Sequence, residues 1–196
     1  MSYTIIENAD HAAWLKSRTL GIGGSDAAAI LGLNPYKSNV ELFEEKTGKR
    51  MPEDISDKPY VKYGTEAEPL IRRLFSLDYP EYKVLYHENR ILRSVEHPFM
   101  QASLDGELTD QEGRKGILEI KTTNYNAKDN WWLDGEETIP AYYESQGRHY
   151  MAVMDVDRCF FCCLYGNNEQ ESIIRDMQRD LAYEDEMIFL EQNFWE

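Results

Sequence analysis

Three observations predict a mixed α/β fold. Segments with helical periodicity alternate with short β-rich runs. A polar turn joins two of those runs into a hairpin that carries Asp105, Glu119 and Lys121. Of the 196 residues, 42% are hydrophobic and 12% aromatic, enough for a sizeable core. One domain is expected over 1–196, with its core over about 10–170 and a C-terminal helical segment over about 172–194.

The elements follow in order. Asp10 caps a short helix through Trp14 and Leu15 that ends near Arg18. Gly21-Ile-Gly-Gly is a loop. Ser25 caps a helix running through Ala27 to Leu31, stopped by Gly32, and Ser38 caps another with Val40, Leu42 and Phe43 as its apolar positions and Gly48 as its stop. Met51 to Lys62 is polar, contains Pro52 and Pro59, and reads as a loop. Thr65 to Tyr79 is a longer helix with Ala67, Leu70, Ile71, Leu74 and Phe75 as its apolar stripe. Strands are expected at Tyr82–Tyr86, Asn89–Ser94, Met100–Leu108 and Gly116–Thr122. A helix runs from Pro140 to about Met154, a strand from Arg158 to Tyr165, and Ser172 to Phe194 is mainly helical.

The hairpin carries the chemistry. Gln111-Glu112-Gly113 is a three-residue loop, with Gly113 free to turn left-handed. A loop centred on Glu112 sets Asp105 opposite Glu119. Alternation then puts Asp105, Glu119 and Lys121 on one face, and Leu118 and Ile120 on the other. Magnesium takes hard oxygen ligands and keeps several waters, so two carboxylates plus a substrate phosphate form a sufficient set. A lysine beside them orients water or stabilises phosphoryl charge. The same pattern also describes a surface hairpin with a cross-strand charge cluster.

The net charge of −15 runs against nucleic-acid binding, which usually has a basic footprint. Either Arg18, Lys37, Lys62, Arg72, Arg73 and Arg148 gather on a face of their own, or an oligomer encloses the nucleic acid and keeps an acidic exterior. Cys159, Cys162 and Cys163 lie in one apolar run and read as reduced core thiols. Trp131 and Trp132 read as packing residues, with stacking on a frayed base as the other use. Ser2 to His11 has no basic start and no long apolar run, and no stretch is apolar enough to span a membrane. These features predict a soluble, cytoplasmic protein.

Five segments in order resemble the YqaJ-type viral recombinase family, the lambda exonuclease group within the PD-(D/E)XK nucleases. They are Trp14-Leu-Lys-Ser-Arg-Thr-Leu-Gly-Ile-Gly-Gly-Ser-Asp, Tyr63-Gly-Thr-Glu-Ala-Glu-Pro, Ser103-Leu-Asp-Gly, Leu118-Glu-Ile-Lys, and Ile139-Pro-Ala-Tyr-Tyr-Glu-Ser-Gln-Gly-Arg-His-Tyr-Met. The resemblance covers Trp14 to Tyr165. It implies a restriction-endonuclease-like core, a central mixed sheet flanked by helices.

The resemblance also implies roles. Asp105, Glu119 and the Ile120 backbone carbonyl are metal ligands, and Lys121 positions or activates the attacking water. Glu68 is the helical glutamate near the metal, a choice over Glu66 that periodicity alone leaves open. Arg18 and Ser25, seven apart, contact a terminal 5′-phosphate; their other reading is a surface pair and a helix cap. Tyr143 and Gln146 line the site. Tyr150 shares their helix face but is expected to pack inward. Gly147-Arg148 stands where a second glutamine is common, which leaves Arg148 to touch DNA backbone and His149 to a structural place.

The activity implied is 5′-to-3′ digestion of linear double-stranded DNA with Mg²⁺, or Mn²⁺, releasing mononucleotides and leaving 3′ single strands for recombination. A homotrimer, a single-strand annealing protein as partner, and a phage or prophage origin in a bacterial host are implied with it. Two alternatives stay open: another nuclease of the superfamily, acting as an endonuclease or on single strands, and a non-catalytic acidic binding protein.

Overall fold

The computed structural model describes residues 2–53, 55–166 and 169–196. The chain opens with strand β1 (Tyr3–Glu7) and three short helices, α1 (His11–Arg18), α2 (Gly24–Ile30) and α3 (Asn39–Lys46). Helix α4 (Pro59–Asp78) follows, then strands β2 (Lys83–Leu85), β3 (Arg90–Ser94), β4 (Gln101–Ala102), β5 (Gly106–Thr109) and β6 (Lys115–Thr122). A small hairpin, β7 (Trp132–Leu133) and β8 (Glu136–Glu137), precedes helix α5 (Ala141–Met154). Strands β9 (Arg158–Leu164) and β10 (Ser172–Gln178) and helix α6 (Leu181–Trp195) complete the chain.

Five strands form the main sheet in the order β10-β9-β6-β5-β2. Only β6 and β9 run parallel, so the sheet is mixed. The α5 helix lies between those two strands in sequence, as a parallel crossover requires. Alternation divides the sheet into two packed faces. Leu118, Ile120, Phe160 and Cys162 meet Ile71 and Phe75 of α4 on one side. Ile117, Cys159, Phe161 and Cys163 meet Tyr150, Met151 and Met154 of α5 on the other. Gly147 of α5 lies so close to the sheet that a Cβ there would fall 2.7 Å from Phe161, which accounts for glycine at that position. A second sheet, β1-β3-β4, packs beside α1 and α5.

Several local expectations hold. Asp10 caps α1 through the Ala13 amide at 2.8 Å, and Ser38 caps α3 in a reciprocal box with Glu41. The hairpin register pairs Gly106 with Leu118 and Thr109 with Lys115, which centres the loop on Glu112. Gly113 is left-handed there, at φ +82°. The three cysteines are free and buried on β9.

Other expectations are corrected. Ser172–Gln178 is a strand, paired along its whole length with β9, not the start of a helix. Met100–Leu108 is not one strand but two, in different sheets. The α4 helix starts at Pro59, whose fixed φ and missing N–H suit a first turn, so only the preceding part of Met51–Lys62 is loop; Asp54 there lies outside the described residues. Its buried stripe is Ala67, Ile71 and Phe75, while Leu70 and Leu74 face outward. In α3 only Leu42 is buried; Val40 and Phe43 are exposed. Three of the six cations named above are tied up in ion pairs. Lys37 pairs with Glu45, Lys62 with Asp57 and Arg148 with Glu144. Among the described residues no helix is long and apolar enough to cross a membrane.

Candidate active site

The site grows from the middle of β6. Glu119 and Lys121 point to the α5 side of the sheet, two residues apart. Lys121 Nζ donates to Glu119 Oε2 at 2.8 Å and to Gln146 Oε1 on α5 at 2.9 Å. The ammonium also stands 4.9 Å from the ring centre of Tyr143. Gln146 Nε2 donates in turn to the Tyr150 hydroxyl at 3.3 Å. Tyr143 is held by stacking on the buried Trp131. The expected inward packing of Tyr150 is observed, and its hydroxyl also ends this polar chain.

Asp105 reaches the same place from the turn before β5. Its Oδ2 accepts the Ile120 N–H at 2.8 Å, and its backbone carbonyl accepts Arg72 Nε at 2.7 Å. Arg72 lies over Tyr86, 4.0 Å from the ring centre, so its guanidinium is held on two sides. From the sequence, Arg72 counts only as one of six cations that could gather on a face of their own. The signal was available, because Arg72 is one helical turn after Glu68 and shares its face.

Electrostatics mark the cluster as strained without an added positive charge. Burial, and then the Asp105 charge, push Glu119 up to about 8. Burial and Asp105 push Glu68 up to about 7. Asp105 is also raised, by burial, against the pull of Lys121, the Ile120 amide and Arg72. Burial acts to lower Lys121, but Glu119 and Asp105 outweigh it and hold the amine above its ordinary value. The two carboxylates thus favour the protonated ammonium.

A divalent cation fits these groups. Glu119 is fully buried, and its Oε1 has no hydrogen-bond partner. An orphaned carboxylate oxygen at that depth is costly unless something positive meets it. The donors are hard oxygens, the set magnesium prefers. Among the described residues no three His, Cys, Asp or Glu form a cage by themselves.

A second polar group lies close by. Arg18 Nη2 donates to Ser25 Oγ at 3.0 Å, and its guanidinium lies 4.8 Å from the Trp14 ring centre. Ser25 is not the cap of its helix: α2 begins one residue earlier, and Asp26 reaches back to the Gly23 N–H instead. That leaves the Ser25 hydroxyl for Arg18. Gly24 ties this group to the carboxylates. A Cβ there would fall 2.5 Å from the Tyr150 ring and 2.9 Å from Gln146 Cγ, so only glycine lets α2 meet α5 at this point.

Arg148 is not brought to either group. It pairs with Glu144 at 2.6 Å, donates to the Gln178 carbonyl and covers Tyr183. The reason is helical phase, since Arg148 is two residues from Gln146 and points away from it. It lines a separate hollow with Arg158 and Arg175. A larger groove of about 1260 Å³ opens beside Tyr143 and Thr122, lined also by Tyr36, Tyr60, Tyr63 and Tyr142.

The raised carboxylates give a prediction. The metal-free folded chain holds protons on Glu68 and Glu119 that the unfolded chain, with glutamates at their ordinary 4.5, releases. Stability without metal therefore falls as pH rises from about 5 to 8. A metal must displace those protons, so its affinity rises through the same window, roughly tenfold per pH unit for each proton displaced, and levels off above it. Calorimetric melting with and without Mg²⁺ at pH 6 and pH 8.5 measures both trends. An equal Mg²⁺ effect at the two pH values would contradict this.

Residues 13–157 match the YqaJ-like viral recombinase domain. The YqaJ protein of Bacillus subtilis (strain 168) is 35% identical over 185 residues, covering 93% of this chain and 54% of that protein. The chain thus spans about half the length of the curated relative it matches. Among solved structures, an alkaline exonuclease, LHK-Exo, from Laribacter hongkongensis superposes with TM-score 0.68 at 19% identity, covering 93% of this chain and 89% of that one. The same enzyme in complex with dAMP gives TM-score 0.71 at 18% identity over the same shares. A phage-related exonuclease from Haemophilus somnus 129PT gives TM-score 0.64 at 16% identity, covering 90% of this chain and 93% of that one. The mixed sheet with flanking helices is thus the fold that these exonucleases share.

Proposed function

The chain belongs to the YqaJ-like viral recombinase domain family, and on that premise we propose that it is a metal-dependent deoxyribonuclease that digests linear duplex DNA from its 5′ ends. The observation that carries the reading is the part-buried chain Glu119–Lys121–Gln146, with one oxygen of the fully buried Glu119 unpartnered, beside the Arg18–Ser25 pair. A surface charge cluster would neither bury these groups nor link them to two helices.

Asp105, Glu119 and the Ile120 carbonyl would hold Mg²⁺ or Mn²⁺, with Glu68 at the edge of the set. The bound ion supplies Lewis acidity toward the phosphoryl oxygen and a more acidic water. The remaining work falls to the chain itself. Lys121 presents its ammonium to the developing phosphoryl charge and orients the attacking water. Gln146 and Glu119 fix the direction of that ammonium, and Tyr143 covers it. Arg18 and Ser25 seat the terminal 5′-phosphate: a guanidinium binds phosphate through paired donors, and the hydroxyl adds one more. Arg148 takes no part in this reading, since its charge is already satisfied.

The remainder of the reading follows from the family. Mononucleotides are released and a 3′ single strand is left for annealing-type recombination. A homotrimer enclosing DNA, working with a single-strand annealing protein in the cytoplasm of a host bacterium, would reconcile the net charge of −15 with a DNA substrate. The exonuclease folds it shares support end-directed cleavage over the endonuclease alternative.

The test is digestion of end-labelled linear duplex, with Mg²⁺ or EDTA, against a closed circle. Metal-dependent release of mononucleotides from 5′-phosphorylated ends, with circles intact, is expected. Arg18→Ala should lower the preference for 5′-phosphate over 5′-hydroxyl ends by roughly tenfold, the weight of a lost charge-assisted contact. Cutting of circles would make the protein an endonuclease, and no cutting under any metal would return it to the acidic binding proteins.

A further inference from the structure

Lys46 stands at the end of α3, far in sequence from every residue assigned above, yet its ammonium reaches the turn that carries Arg18. Its Nζ donates to the Gly21 carbonyl at 2.8 Å and to the Arg18 carbonyl at 3.2 Å. It also pairs with Asp26 Oδ2 at 2.8 Å. An ammonium has three N–H donors, and all three are accounted for. The same Asp26 oxygen accepts the Gly23 N–H at 2.9 Å. One cation therefore joins the end of α1, the turn and the first turn of α2.

The other side of that turn is fixed separately. Ile22 N–H donates to the Phe99 carbonyl at 2.7 Å, and the Gln101 N–H donates to the Ile22 carbonyl at 2.8 Å. Gly21 lies against the Gln101 side chain so closely that a Cβ would overlap it. The turn is thus held from inside by the β4 segment and from outside by Lys46. Without Lys46, two main-chain carbonyls and a carboxylate would converge with no cation between them. The group free to move in response is the outer wall, where Arg18 begins.

We propose that Lys46 is a positioning residue for end recognition: it fixes the turn from Arg18 to Gly23 so that the guanidinium and the Ser25 hydroxyl face a terminal phosphate together. The inference rests on the proposed role of the Arg18–Ser25 pair and adds the residue that sets its geometry. Lys46 does not touch the phosphate itself. Its three donors are spent, and its side chain is largely buried.

The experiment compares binding of short duplexes bearing 5′-phosphate or 5′-hydroxyl ends, by fluorescence anisotropy in EDTA, so that no cleavage enters the readout. Wild type, Lys46→Met, Lys46→Arg and Arg18→Ala are measured, with melting curves for each. Lys46→Met is expected to cut the 5′-phosphate preference by roughly tenfold, approaching Arg18→Ala, because a misdirected fork loses its paired contact. Lys46→Arg should recover part of it by restoring a cation at the turn. A merely stabilising lysine would lower the melting temperature and leave the preference intact, and that result overturns the proposal. If Lys46→Met does not fold, Asp26→Asn removes the carboxylate charge that Lys46 meets and keeps an amide oxygen for the Gly23 N–H; an unchanged preference there overturns it equally. Equal binding of both ends by wild type and by Arg18→Ala would sink the end-pocket reading and this inference with it. That outcome is distinct from one in which Arg18→Ala loses the preference and Lys46→Met keeps it.

Discussion

Lys121→Met is expected to reduce Mg²⁺-dependent cleavage by roughly a thousandfold while the protein still folds and binds DNA. The loss is large because the ammonium has no substitute among its neighbours. Gln146 and Tyr143 are neutral, and Arg72 is spent on the Asp105 carbonyl and Tyr86. Folding survives for a reason visible in the site. Removing a partner from a buried ion pair usually leaves an uncompensated charge. Glu119 escapes that penalty by taking up a proton, since its value already stands near 8 and rises further without Lys121. Single-turnover cleavage and DNA binding measured side by side test this. Cleavage within tenfold of wild type would remove Lys121 from the chemistry and leave it a packing residue.

The hairpin that carries Asp105, Glu119 and Lys121 was legible because its geometry is local. Gly113 and the polar loop fix the register, the register fixes which side chains share a face, and Asp105, Glu119 and Lys121 follow. The caps at Asp10 and Ser38 were legible for the same reason, since each is a bond between residues three apart. Failures came where one pattern serves two structures. In Ser172–Gln178 the apolar residues Ile173, Ile174 and Met177 have helical spacing, yet pairing with β9 makes them a strand. In α4 the stripe was drawn too wide, because periodicity gives the direction of a helix face and not the width of the sheet beneath it. Strand β1 has no turn signal of its own and exists by pairing with β3, about 87 residues away in the chain.

Site residues divide in the same way. Those on one element, such as Tyr143 and Gln146, follow from helical spacing once the helix is known. Arg148 shares that helix but not its phase, and its ion pair with Glu144 is itself an i, i+4 contact the sequence displays. Lys46 and Arg72 act through main-chain carbonyls 25 and 33 residues distant. No side-chain pattern records a contact to a carbonyl, so these positions became visible only in the fold.

Replacing Glu191 by glutamine should cost about 3–5 kcal/mol, because it breaks a buried ionic contact on one side only. His149 and Glu191 are both fully buried, joining α5 to α6. His149 Nδ1 lies 2.8 Å from Glu191 Oε1, and Nε2 lies 2.9 Å from the Gln101 carbonyl. Both partners are acceptors, so both ring nitrogens must donate, which only the imidazolium does. Burial acts to lower the His149 value, and Glu191 with the Gln101 carbonyl outweighs it, leaving it raised above 6.5. A raised value means that the folded chain holds a proton the unfolded chain releases. The stabilisation is therefore complete below the unfolded value of 6.5 and is lost as pH rises through the folded one. For a chain of this length the Glu191→Gln cost corresponds to a fall of roughly 6–20 °C in melting temperature. The gap to wild type should be widest at mildly acidic pH and shrink toward alkaline pH. Replacing both residues by leucine should cost less than Glu191→Gln alone, since no buried charge is then left without a partner. A double variant less stable than the single one, or a gap that widens with pH, would show that the pair is neutral and that packing, not charge, holds α6 on α5.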